Sequence, residues 1–319
     1  MPLDPEVAAY LEGQKQQPPR SALDVPGTRE TMRRAAALAG IAPPLARIED
    51  MLLAGSLRAR QYWPALGEGL PVVVYFHGGR FFSGDLESHD TVCRILALSA
   101  GCRILAVDYR LAPEHRFPAA AKDANIAVEW ALREGVAAGV AGDSAGANLA
   151  AGVALAHRGS ALRCQLLIYP MIDATCSSPS FAEFSDGFGP GAADMKRGWT
   201  EYLPQDTDPR DPLASPFFAE NFRGVAPAFI FTAEYDTLRD EGEAYARKLV
   251  ESGNTVQTRR YLGTIHGFFP MQGILRTARE AMNDAGTFLR RGLAGQSQLN
   301  TTLPEQPDIM ASNPFSNSV

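Results

Sequence analysis

The chain has 319 residues, 45% of them hydrophobic and 21% charged, with a formal net charge of −6. That length supports one large core, and the excess of acids offers no basic face to a phosphate backbone, which excludes nucleic acid as the natural partner. The four cysteines (Cys93, Cys102, Cys164 and Cys176) form no CxxC pair or Cys/His cluster, so they are expected as reduced thiols with no structural zinc or other metal.

The opening Met-Pro-Leu-Asp-Pro-Glu carries acids where a secretory signal needs bases, and no apolar stretch of signal length follows, so a cytoplasmic location is expected. The longest apolar strand-like run, Leu70 to Phe76, is far shorter than the roughly 20 residues of a bilayer crossing, and no membrane span is expected. Residues 1 to about 45 alternate helix-compatible stretches with prolines (Pro18, Pro19, Pro26, Pro43, Pro44), a pattern of short helices appended to a core. At Val72 the character changes to Val-Val-Val-Tyr-Phe between Pro71 and Gly78-Gly79, the mark of a buried strand, and the sheet is expected to begin there.

Further strands are expected at Ile104 to Val107, about Val136 to Ala141, Gln165 to Tyr169, Ala228 to Thr232 and Gln257 to Tyr261, with helical stretches between most of them. Helices separating short apolar strands predict an α/β fold with a mostly parallel sheet covered on both faces, whose ligands bind beyond the carboxyl ends of the strands. Residues 178 to 205 break the rhythm with Phe181, Phe184, Phe188, Trp199 and Tyr202 among small and polar residues, and read as a lid insertion. These aromatics either line a substrate pocket or pack the lid itself. From about Gln296 the chain is rich in Asn, Ser, Thr and Pro, the composition of a loosely ordered tail.

The strongest chemical signal is Gly142-Asp143-Ser144-Ala145-Gly146, a G-x-S-x-G run between a strand and an alanine-rich helix. A nucleophile elbow holds serine in a strained strand-to-helix turn, so glycines are needed where side chains would clash. The preceding strand is poor in β-branched residues and carries Gly139, which weakens it on propensity alone. Serine is a weak nucleophile and needs a base. Of the five histidines, His77, His89, His115 and His157 lie upstream or in the elbow helix, leaving His266, just past the last strand, for the chain order Ser, acid, His. Glu234, Asp236 and Asp240 compete as the acid, and Asp236 sits where strand should give way to helix. The loop His77-Gly78-Gly79-Arg80 follows a strand, where backbone N–H groups of Gly78 and Gly79 with that of Ala145 can form an oxyanion hole. There is no GxGxxG opening a βαβ unit, no HExxH and no P-loop, and nothing asks for a cofactor.

With these residues in place, the chain resembles the bacterial hormone-sensitive-lipase-like esterases with a GDSAG elbow, members of the α/β-hydrolase superfamily. The resemblance runs from about residue 30 to 293 and includes the His77 loop, Asp108 to Glu114, the elbow, Asp211 to Pro216, Ala233 to Asp236 and Ile265 to Phe268. It implies hydrolysis of short-acyl carboxylic esters, small molecules, under a helical cap. The cap would comprise residues 1–45 and an insertion at 178–205 on a catalytic domain spanning 46–295, with 296–319 as the tail; a homodimer is left open. It also implies that Asp108 to Glu114 support the active-site loops. An amidase or lactonase with the same triad, or a non-catalytic small-ligand-binding protein of this fold, is the alternative, and the presence of His266 speaks against the last. Where the family usually has a third loop glycine, this chain has Arg80, and Ala147 stands where glycine is common after the elbow. Arg80 keeps its N–H, at a cost of roughly 1 kcal/mol if its φ is positive. Its side chain is expected to pair with an acid such as Asp85 or Glu87, or, more sharply, with a substrate carboxylate.

Overall fold

The computed structural model describes residues 2–17 and 22–295; Pro18, Pro19 and the polar stretch from Gln296 lie outside the described residues. An eight-stranded sheet runs in the order β1-β2-β4-β3-β5-β6-β7-β8. Its strands are β1 (Arg47–Leu53), β2 (Leu57–Trp63), β3 (Val72–Phe76), β4 (Arg103–Val107), β5 (Ala138–Asp143), β6 (Leu162–Ile168), β7 (Ala228–Tyr235) and β8 (Val256–Ile265). From β4 to β8 every neighbouring pair is parallel, while β1 and β2 are added antiparallel at one edge.

The sheet therefore begins one hairpin earlier than expected at Val72. The reason is visible in the residues: β1 and β2 contain a single β-branched side chain, Ile48, among Arg, Glu, Asp and Gln. They hold by alternation instead, with Leu57, Ala59 and Gln61 turned inward and Arg58 exposed between them. A three-residue turn closes the hairpin, with Ala54 and Gly55 both at positive φ.

β3 lies in the middle of the sheet and all five of its residues are buried, as a strand covered on both faces requires. Its alternation divides the core in two. Val72, Val74 and Phe76 join the cluster beneath α4 (Ala119–Arg133) and α5 (Ala145–Ala156), whereas Val73 and Tyr75 join that beneath α3 (Asp90–Ala100) and α9 (Arg276–Leu293). α9 shows Ala278, Ala281, Met282, Ala285, Phe288 and Leu289 to the sheet, a helical stripe at spacings of three and four. The weak-looking β5 is central as well. A side chain at Gly139 would come within 2.9 Å of Cys164 Sγ, so close packing against β6 explains the glycine that propensity counted against the strand.

Two helical segments sit over the carboxyl ends of the strands. The first is α1 (Pro5–Gln14) and α2 (Val25–Ala35), capped by the carboxylates of Asp4 and Asp24. The second, between β6 and β7, carries α6 (Pro179–Glu183) and α7 (Ala192–Tyr202). Arg29 of α2 fastens the first to the core: its guanidinium donates to the carbonyls of Phe82 and Ala112 and pairs with Glu114 at 2.6 Å. α8 (Arg239–Glu251) follows β7. All four cysteines are unpaired, and no helix among the described residues is long and apolar enough to cross a membrane.

Candidate active site

Ser144 sits between the last residue of β5 and the first of α5 at φ +55° and ψ −116°, a conformation that costs about 1–3 kcal/mol and persists only where the surroundings enforce it. They do so here. The Ser144 N–H donates to Ile168 O at 2.9 Å, and the Ser144 carbonyl accepts from Asn148 N–H and Met171 N–H. A Cβ at Gly146 would lie 1.9 Å from Phe76 O, and one at Gly142 would lie 2.4 Å from Gly146 itself. Both elbow glycines are thus required by close contact, while the left-handed φ of the turn falls on Ser144 itself.

Tyr235 of β7 and Ile265 of β8 are register partners, so the residues that follow them, Asp236 and His266, leave the sheet side by side. The register shifts just before this pair, where β8 contains Gly263 at φ +71° with its N–H held by the Glu234 carboxylate. Such an irregularity re-aims the end of a strand. His266 Nδ1 lies 2.8 Å from Asp236 Oδ2, and His266 Nε2 lies 3.0 Å from Ser144 Oγ. Asp236 Oδ1 accepts from Leu238 N–H, which fixes the carboxylate at the start of α8. All three side chains are buried. The competing acids are engaged elsewhere: Glu234 holds Gly263, and Asp240 accepts from Ser180 N–H. His157 points to Asn125, away from the elbow.

The loop after β3 corrects one expectation. Gly78 N–H is not aimed at the nucleophile but donates to Asp143 Oδ1 at 2.9 Å, because Asp143 turns back across the elbow to hold the loop. Tyr75 O–H donates to the same oxygen, and His89 Nε2 lies 3.4 Å from it. Gly79, at φ +131°, does line the cavity beside Ser144, and a Cβ there would lie 2.0 Å from Ser83 O. Ala145 is the first residue of α5, where N–H groups lack a partner within the helix. Arg80 and Phe81 both have positive φ, at +55° and +64°. This strained run is tied down by Ser83 N–H to Gly79 O and by Ala112 N–H to Phe81 O. Tyr109 O–H donates to His77 O, so residues from the Asp108 to Glu114 segment do brace the loop.

Burial sets the charges around this loop. The His77 imidazole is pushed down to about 4 by burial and by its neighbour His89, and its Nδ1–H donates to Gly78 O. Asp143 is held below the usual carboxylate range: burial opposes its charge, but His89, Tyr75 and Gly78 N–H together outweigh that cost. Glu241 goes the other way. Burial raises its carboxyl well above the usual range, although Ile172 N–H and Asp173 N–H both donate to Oε1.

A cavity of about 120 Å³ opens over Ser144. Its apolar walls come from Met32 and Leu38 of the N-terminal segment, Pro190 and Met195 of the insertion, and Ile265 and Met271. The insertion's aromatics do not line this cavity but pack the insertion onto the core: Tyr202 stacks on Phe81 of the loop after β3 at 3.9 Å, Trp199 meets the same ring at 5.3 Å, and Phe184 and Phe188 pack on Tyr235 of β7. A second correction concerns Arg80, whose Nη1 pairs with Asp194 of α7 at 3.1 Å. Asp85 and Glu87 are taken by Arg33 and Arg60. Asp194 was not foreseen, since nothing in sequence spacing brings a helix of the insertion to the loop after β3, 114 residues away.

A serine, a histidine and a carboxylate linked in this order at the carboxyl edge of a mostly parallel sheet define the architecture of a serine hydrolase. Comparison with known proteins agrees: a family model described as alpha/beta hydrolase fold matches residues 73–270, and the chain belongs to that family. It is 43% identical over 232 residues to the carboxylic ester hydrolase LipN of Mycobacterium tuberculosis, a match covering 67% of this chain and 61% of that protein, so it spans about three fifths of that relative. An ethyl acetate hydrolase of Pseudomonas putida is 34% identical over 307 residues, covering 88% of this chain and 96% of the relative. The solved structure of a hyperthermophilic esterase from Pyrobaculum calidifontis superposes with a TM-score of 0.83 at 41% identity, over 91% of this chain and 98% of that one. The resemblance to hormone-sensitive-lipase-like esterases rests on these relatives as well as on the motifs.

Proposed function

We propose that this ester hydrolase of the α/β-hydrolase family cleaves short-acyl carboxylic esters through an acyl-enzyme on Ser144. The observation that carries the reading is the unbroken chain Asp236–His266–Ser144, at 2.8 and 3.0 Å, opening on an apolar cavity of about 120 Å³. Ser144 Oγ attacks the ester carbonyl while His266 Nε2 takes its proton, then returns it to the leaving alkoxide; water repeats the sequence to release the acid. Asp236 holds the imidazole with its proton on Nδ1, which leaves Nε2 free to act as base. The developing oxyanion is received by the N–H groups of Gly79 and Ala145, and losing one such donor typically costs about 3 kcal/mol of transition-state stabilisation. Residues 1–45 and 178–205 together act as the cap that closes the cavity and excludes long chains.

Hydrolysis of p-nitrophenyl esters from acetate to palmitate, by the wild type and Ser144→Ala side by side, tests this reading. The expected result is turnover greatest on short chains and reduced roughly 10⁵-fold or more by Ser144→Ala. A long-chain optimum overturns the short-acyl assignment, and equal rates for wild type and variant on every ester overturn Ser144 as nucleophile. An amidase built on the same triad would hydrolyse anilides at rates comparable to the esters.

A further inference from the structure

Arg80 occupies a place where the backbone is left-handed and where a glycine would be at ease, yet it is an arginine whose side chain is only 11% exposed. Its guanidinium pairs with Asp194, itself 15% exposed, and lies 4.9 Å from the centre of the buried Phe82 ring. The other Asp194 oxygen accepts from Gly191 N–H at 3.2 Å, so the same carboxylate sets the start of α7. α7 then rests directly on the arginine: a Cβ at Gly198 would come within 2.8 Å of Arg80 Cβ. Met195, next in the chain after Asp194 and fully buried, forms part of the cavity wall together with Pro190, just before the helix. Arg197 of α7 reaches the same Phe82 ring at 5.1 Å and also donates to Leu23 O of the N-terminal segment.

We infer that Arg80 is a positioning residue that latches α7 onto the oxyanion loop, so that one ion pair fixes both the acyl-pocket wall and the backbone beside Gly79. This rests on the ester-hydrolase reading above. A largely buried pair tied by further hydrogen bonds holds geometry in a way that an exposed pair does not. The consequence is a coupling between acyl-chain length and catalysis. With the latch closed, Met195 limits the acyl group; with it open, the wall recedes and the loop loses its support on the far side from β3.

The test compares wild type, Arg80→Gly, Arg80→Lys, Asp194→Asn and the Arg80→Gly/Asp194→Asn double variant. kcat and KM are measured on p-nitrophenyl acetate, butyrate and octanoate, and folded active sites are counted by labelling with a fluorophosphonate. Arg80→Gly suits the left-handed backbone but also removes the side chain's packing on Phe82 and α7, whereas Asp194→Asn keeps an acceptor for Gly191 N–H and removes only the charge from the pair. Each single variant is expected to lose about tenfold in kcat/KM on butyrate and to raise the octanoate-to-butyrate ratio about threefold, with the double variant losing no more than either single one. Arg80→Lys, which keeps the charge, stays near the wild-type ratio. Should Arg80→Gly fail to label, Asp194→Asn carries the same comparison. An active wild type whose variants keep its acyl-length ratio, or whose losses simply add, overturns the latch alone. A wild type without turnover on any ester overturns the enzymatic reading and the latch with it.

Discussion

Asp236 Oδ2 and His266 Nδ1 are 2.8 Å apart because Tyr235 and Ile265, the residues before them, are paired across the last two strands of the sheet. The carboxylate thus meets the imidazole through strand register, and its second oxygen is already engaged by Leu238 N–H. Two donors face two acceptor oxygens. In Asp236→Asn one of those acceptors becomes a donor, so the side chain can satisfy Leu238 or His266 Nδ1–H but not both, and the amide selects the tautomer with its proton on Nε2. The expected result is a fall in kcat of about 10⁴-fold, with the melting temperature nearly unchanged. Steady-state kinetics beside a thermal melt check it, and a loss below tenfold would assign the acid's role to another residue.

The elbow yields a prediction about folding. At Gly146 an added methyl group meets the Phe76 carbonyl at 1.9 Å, and that oxygen belongs to the central strand, which has no slack to give. Gly146→Ala should therefore cost roughly 3 kcal/mol or more, beyond the usual range for one extra methyl in a core. Urea unfolding monitored by tryptophan fluorescence measures it; a stability within 1 kcal/mol of wild type would mean that the helix can move away from the sheet.

That Ser144, His266 and Asp236 lie within hydrogen-bond reach of one another could be expected from the sequence, because each sits in a strand-end loop and the strands leading to them are apolar. The limit of that reading was reached where contacts cross between distant segments. The β1–β2 hairpin is held by alternation and a turn, with hardly a β-branched residue to announce it. Gly78 looked like an oxyanion donor because it follows the strand, but only the fold shows Asp143, 65 residues later, taking its N–H. Likewise the local acids Asp85 and Glu87 are nearer Arg80 in sequence, while arginines of α2 and β2 claim them in space. Residue type reports the chemistry available at a position; which partner it meets depends on packing between elements far apart in the chain.

His77 links pH to stability. Its imidazole is buried and pushed down to about 4, against roughly 6.5 for an unfolded histidine, so between these values the unfolded chain binds a proton that the folded chain refuses. Stability is therefore retained above about pH 6.5 and lost as the pH falls toward 4, by about 3 kcal/mol from this group. His77→Asn retains a donor for Gly78 O and carries no titrating group, so its stability should vary less across that window. Denaturant midpoints of both proteins from pH 4 to 7 test this, and parallel curves would show that the acid loss arises elsewhere.

Glu241 predicts a change of opposite sign. Burial holds its carboxyl well above the usual range, so the folded protein keeps a proton that the unfolded chain releases once the pH exceeds about 4.5. Its stabilising contribution is complete below that value and declines as the pH rises through the folded-state value. The proton must be on Oε2, which has no partner in the structure, since Oε1 already accepts from Ile172 and Asp173. Glu241→Gln preserves the accepting oxygen and places a neutral group where the acid is neutral. The variant should match wild type near pH 5 and exceed it by about 1 kcal/mol or more at pH 8–9, because only the wild type must either keep a buried proton against the solvent or bury a charge. Unfolding free energies at pH 5 and pH 9 decide the matter: a variant less stable than wild type at both would mean that the carboxyl is ionised in the folded protein and that its charge holds the loop after β6.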